Sequence, residues 1–116
     1  KYMEERAVRV DAAVECKEDA ACWVKKLSDA NAFVREKAAW ELSWLKDPST
    51  LDALVKALSD KDNYVRSASI YAYWSFGDKR AIPAIEKQLK DDEGAATYVR
   101  VNQDLKRLLV ALKRKA

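Results

Sequence analysis

The chain has 116 residues with 22 basic and 19 acidic side chains, a formal charge of +3. This length supports one compact core, the mixed charge lacks the strong basic stripe of a dedicated nucleic-acid binder, and no apolar run approaches the ~18 residues that span a bilayer. There is no histidine, which removes the commonest neutral-pH base, the commonest zinc ligand and every Ser-His or Cys-His arrangement, while only 2 Gly and 2 Pro favour long helices over a turn-rich sheet.

Helices are expected near residues 2–15, 19–28, 32–46, 48–59, 63–77, 80–90 and 96–113. The first is carried by Met3, Ala7, Val10 and Val14. Cys16 and Cys22, the only cysteines, flank the turn that follows. In the third helix, Val34, Ala38, Ala39, Leu42 and Leu45 trace one face of a 3.6-residue period. Leu51, Leu54, Val55 and Leu58 do the same in the fourth. Asp47-Pro48 marks the junction between them, an acidic cap followed by proline at the first helical position. Asn31 and Asp62 are the expected N-caps of the third and fifth helices. The segment Asp91-Asp92-Glu93-Gly94-Ala95-Ala96-Thr97 reads as a loop, and Val101, Leu105, Leu108, Leu109 and Leu112 form the apolar stripe of a last helix. The chain begins at Lys1 without a signal-peptide pattern, which fits a fragment or a processed product.

A shift of 31 residues superposes much of the chain on itself. Leu27, Asp29, Val34 and Arg35 fall on Leu58, Asp60, Val65 and Arg66, and Leu45, Asp47, Leu51 and Leu54 fall on Phe76, Asp78, Ile82 and Ile85. Each unit is therefore a helical pair. Asp29 and Asp60, each six residues before a Val-preceded Arg, and second helices such as Ala81-Ile82-Pro83-Ala84-Ile85 resemble HEAT repeats, most closely the short type named after phycobilin-lyase proteins, over roughly residues 20–100. The resemblance implies an all-α, right-handed α-α superhelix of the HEAT/armadillo-like solenoid type. It would be one domain over 1–116, with units near 1–29, 30–60 and 61–91 and a C-terminal cap over 92–116. It also implies that Asp29, Arg35, Asp60 and Arg66 form a structural ladder between units, with the third pairing interrupted by the longer segment after Leu89. Members of the family include scaffolds, adaptors and a few enzymes.

Three further features invite a function. Trp40 points away from the buried arc of its helix, Trp44 lies one turn on, and the shift carries Trp40 onto Tyr71, with Trp74 at the flank. Rings resting on long side chains such as Lys37 are one reading, and a protein-contact patch is the other, since Trp and Tyr are enriched at binding hot spots. Trp23, aligned with Leu54 and Ile85, belongs to the core. Lys25, Lys56 and Lys87 recur on the second helix of each unit. They are either ordinary solvated positions or a row facing a polyanion, with the basic tail Lys113, Arg114 and Lys115 beside it. For Cys16 and Cys22 the alternatives are a disulfide across the helical turn and two unpaired core thiols. A zinc site lacks two ligands, and the spacing is not that of a Cys-x-x-Cys redox motif. A disulfide would place the protein in an oxidising compartment such as a periplasm, and its absence in the cytoplasm.

No metal, cofactor or catalytic residue is expected. The leading expectation is a non-catalytic scaffold that contacts another protein or a second copy of itself. The alternative is nucleic-acid or other polyanion binding through the lysine row on the concave face and the basic C-terminal tail, with a protein rather than nucleic acid the expected partner.

Overall fold

The computed structural model describes residues 2–115, and of residues 2 and 3 the backbone alone. Among these the chain forms seven α-helices and no strand: α1 (Tyr2–Cys16), α2 (Ala20–Lys26), α3 (Ala32–Leu45), α4 (Leu51–Ala57), α5 (Asn63–Trp74), α6 (Ile82–Asp91) and α7 (Val99–Arg114). Short 3-10 turns at Pro48–Thr50, Lys79–Ala81 and Ala96–Tyr98 lead into α4, α6 and α7. α1, α3, α5 and α7 pack in series, and α2, α4 and α6 each lie against the odd-numbered helix that follows. The result is an all-α helical repeat, a slab of 38 × 32 × 16 Å.

The helix starts are set locally. Asp19 accepts from the Cys22 N–H, Asn31 from Phe33, and Asp62 from Tyr64 and Val65. Each satisfies amide groups that the first helical turn leaves without partners. Asp47 and Asp78 do the same for the 3-10 turns. Two equivalent helix ends use left-handed backbone, Lys46 at φ 50 and Gly77 at φ 59. Glycine adopts that conformation freely and lysine only with strain.

The core is continuous from Trp23 through Leu42, Leu54, Leu58 and Val65 to Tyr73, Ile85, Leu105, Leu108 and Leu112, all fully buried. Trp23, Leu54 and Ile85 occupy equivalent positions. The larger ring of Trp23 is accommodated because its indole N–H donates to the Lys17 carbonyl at 2.7 Å, which satisfies the one polar atom that burial would otherwise strand.

Two expectations need correcting. The first concerns the stripe assigned to α1: Ala7, Val10 and Val14 are exposed, and the Met3 side chain lies outside the described residues. The face toward α3 is instead Val8, Ala12 and Cys16, with the Arg9 guanidinium 5.5 Å from the centre of the Phe33 ring. Cys16, bonded to Cys22, fixes the rotation of the helix. Residues two positions from its buried stripe, at 100° per residue, turn about 200° away. The second concerns Asp91-Asp92, which is not loop. Asp91 ends α6 and Asp92 caps it.

Candidate functional site: an aromatic groove on the odd-numbered helices

Arg35 lies at the start of α3 and reaches forward. Its Nε and Nη2 donate to the two carboxylate oxygens of Asp60 at 2.9 and 3.1 Å, and its Nη1 donates back to the carbonyls of Asp29 and Ala30. The Asp29 carboxylate does not meet an arginine. It accepts from the Asn31 N–H at 2.8 Å and shapes the turn. Asp60 combines both tasks, since it also accepts from the Asp62 N–H.

Arg66 repeats the arrangement with different partners. It donates to the Asp60 carbonyl at 2.5 Å, to Asp92 at 2.6 Å and to Asn102 at 3.3 Å, while the Tyr98 ring centre stands 3.7 Å from its guanidinium carbon. Burial works to raise the Asp92 carboxyl. Hydrogen bonds from Asn102, Arg66 and Gln88 outweigh it and hold the group below its ordinary value. The buried pairs Val34-Arg35 and Val65-Arg66 are 31 residues apart, and the next, Val101-Asn102, follows after 36. The inserted residues supply Tyr98, and Asn102 stands where a third arginine would. Sequence reasoning missed Asp92, Tyr98 and Asn102 because the insertion breaks the register that located the first two arginines.

The same offsets explain the opposite face. Trp40, Tyr71 and Arg107 form one row across α3, α5 and α7. Trp40 and Tyr71 meet with ring centres 5.1 Å apart and planes tilted by 54°, a geometry that aromatic quadrupoles favour. With Trp44 and Trp74 they line a groove of about 640 Å³ that also takes in Ser43, Lys46, Ser67, Ile70, Ser75, Asp104 and Arg107. Exposure is 77% for Trp44, 61% for Tyr71, 42% for Trp74 and 37% for Trp40. Trp40 is thus the most enclosed of the four. Its indole N–H donates to Glu36 at 3.3 Å, and the Arg107–Asp104 pair closes the far edge at 2.8 Å. Lys37 pairs with Glu41.

Lys25, Lys56 and Lys87 are all exposed. Lys87 is held by Asp91 at 2.7 Å, and Lys56 borders a shallow hollow with Asp52 and Asp60, so the row alternates with acids. Cys16 and Cys22 form a disulfide. The Glu15 carboxylate lies beside them, all three ligand atoms within 4.8 Å of one another. Sulfurs bonded to each other offer a metal no thiolate, and Glu15 is engaged by Lys26. The Tyr73 hydroxyl is pushed up to about 12 by burial and by the charge of Asp78. It donates to the Asp78 carbonyl at 2.6 Å and ties α5 to the turn before α6, a structural strap rather than an acid or base. Among the described residues no helix is long and apolar enough to cross a membrane.

A family model for HEAT repeats matches residues 20–100. No curated protein and no solved structure matches the chain significantly.

Proposed function

The chain belongs to the HEAT-repeat family, whose members generally act as protein-interaction scaffolds, and from that premise we propose that it is a non-catalytic scaffold that holds another protein through the groove of α3, α5 and α7. One observation carries this reading: three tryptophans and a tyrosine converge on one concave strip of surface, and all four keep substantial contact with solvent. Apolar area left in water forgoes about 25 cal/mol per Å², so four large rings in one place form a surface suited to being covered. Trp and Tyr are also the side chains most often found at the energetic centre of interfaces.

The test is Trp44→Ser alone and combined with Trp40→Ser. The single change should leave the thermal midpoint within a degree or two and weaken association, measured by sedimentation and by pull-down. The double change also removes the Trp40–Tyr71 contact and the buried part of the Trp40 ring and should cost about 2–4 kcal/mol more, so the single change carries the test of the contact surface. Affinity should fall only slightly with added salt, because an apolar contact releases few counterions and a polyanion contact many. Unchanged association in both variants would remove the groove from consideration as a contact surface.

A further inference from the structure

The lining of the groove specifies the kind of segment it fits, an inference that rests on the contact reading above. The indole N–H of Trp23 is used within the chain by Lys17, and that of Trp40 by Glu36. Among the described residues the indole N–H groups of Trp44 and Trp74 and the Tyr71 hydroxyl meet no hydrogen-bond partner. With the Ser67 hydroxyl, four uncharged donors on residues that line the groove have no acceptor among the described residues. The hydroxyls of Ser43 and Ser75 already donate to the Trp40 and Ala72 carbonyls. Asp104 and Arg107 neutralise each other, which leaves Lys46 as the single uncompensated charge in the lining. The strip is aromatic, rich in donors and faintly positive.

The electrostatic complement of such a strip is a ligand that presents acceptors and apolar rings but few donors. A helix is a poor match, because its carbonyls are satisfied internally. An added β-strand would need a sheet edge, and the described residues contain no strand. A proline-rich segment matches on every count. Proline has a carbonyl and no N–H, the polyproline II helix leaves all its carbonyls without internal partners, and its apolar rings pack in aromatic-lined grooves at little conformational cost.

Size agrees. Three neighbouring helices spaced 8–10 Å apart give a strip of about 20 Å, the length of roughly six or seven residues at ~3.1 Å each. A groove of about 640 Å³ lies in the range of short ligands.

We propose that the groove receives a proline-rich segment of a partner protein in the polyproline II conformation, its rings against Trp40, Trp44, Tyr71 and Trp74 and its carbonyls accepting from the Trp44 and Trp74 indoles and the Tyr71 hydroxyl. The experiment titrates the ¹⁵N-labelled chain with a decaproline peptide and, separately, with a Gly/Ser peptide of equal length. The indole signals of Trp44 and Trp74 should shift and saturate below millimolar decaproline, with the buried Trp23 signal fixed as an internal reference. Trp44→Ala should weaken the titration at least tenfold, as loss of a hot-spot ring does, and Tyr71→Phe, which removes only a hydroxyl, should weaken it several-fold. Equal shifts with the Gly/Ser peptide, or none at millimolar decaproline, overturn the proposal. If decaproline fails while Trp44→Ser still weakens association with another protein, the polyproline assignment is wrong and the contact reading stands. If the wild-type chain sediments as a dimer that Trp44→Ser dissociates, a second copy occupies the groove and the assignment is likewise wrong.

Discussion

Arg66 is the side chain on which the C-terminal half of the repeat depends most. It is 2% exposed, Asp92 is 10% exposed, and the cluster they form with Asn102, Tyr98 and the Asp60 carbonyl joins α5, the end of α6 and α7. Arg66→Met keeps most of the stem and removes the charge. Asp92 would then stay buried with hydrogen bonds from Gln88 and Asn102 alone, and the Asp60 carbonyl would lose a donor. Breaking a buried pair from one side costs about 3–5 kcal/mol. A domain of this length is stable by about 6–17 kcal/mol, so the loss is a large fraction of the total. At roughly 3–5 °C per kcal/mol the midpoint should fall by about 9–25 °C.

The pH dependence gives a second reading of the same change. The Asp92 carboxyl is held low in the folded chain. Its contribution is therefore present above the unfolded carboxyl value near 4 and is lost as pH falls through the folded value. The difference between wild type and Arg66→Met should accordingly be largest at neutral pH and shrink below pH ~4. Arg66→Met combined with Asp92→Leu should recover only part of the loss, because an apolar pair removes the stranded charge but leaves the buried Asn102 amide without either partner. Chemical denaturation at pH 7 and pH 3 measures all of this. A cost under 1 kcal/mol for Arg66→Met at pH 7 would refute the reasoning, since the pair would then behave as an exposed one.

Two other outcomes concern the turns. Cys16→Ser with Cys22→Ser should destabilise the chain by about 2 kcal/mol through the short loop released in the unfolded state, and non-reducing mass analysis of the wild type should show no free thiol. Lys46→Gly should raise stability by roughly 0.5–1 kcal/mol in a denaturant titration, because it gives the end of α3 the residue that the equivalent end of α5 already has in Gly77; a lower midpoint would mean that the lysine side chain, not its backbone, matters at the groove edge.

Much of the fold was legible because repetition supplied its own control. Val34 and Val65, Arg35 and Arg66, and Leu54 and Ile85 each appear twice at one offset, so a single 3.6-residue pattern could be checked against its copy. α1 had no such copy. With Ala, Val and charged residues on nearly every face, its periodicity allowed more than one buried stripe, and only the constraint at Cys16 selects Ala12 over Val10 and Val14. Asp92 and Asn102 were hidden for a related reason. An insertion of a few residues changes no local propensity, yet it moves every later position to a new partner. The outward direction of Trp40 and Trp44 was legible from angle alone, whereas the part played by Asp104 and Arg107 depends on how closely α7 approaches α5.

The groove follows from how the repeats depart from one another. Val34, Val65 and Val101 hold the inner row nearly constant, as a stacked core requires. On the outer face the rows alternate in bulk: Trp40, Tyr71 and Arg107; Ser43, Trp74 and Val110; Trp44, Ser75 and Ala111. In two of the rows a ring stands beside serine, Trp74 by Ser43 and Trp44 by Ser75, whereas in the first Trp40 and Tyr71 meet. Identical aromatics in every unit would meet and close the surface, and identical serines would leave it smooth and polar. Beyond the Trp40–Tyr71 contact, the alternation leaves Trp44 and Trp74 beside serines, and these two rings stay 77% and 42% exposed. The inner row and the ladder are what a HEAT-like stack needs in order to fold, and the outer rows add to it chiefly through the Trp40–Tyr71 contact. The exposed rings of Trp44, Tyr71 and Trp74 are the surface that the proposed contact would cover.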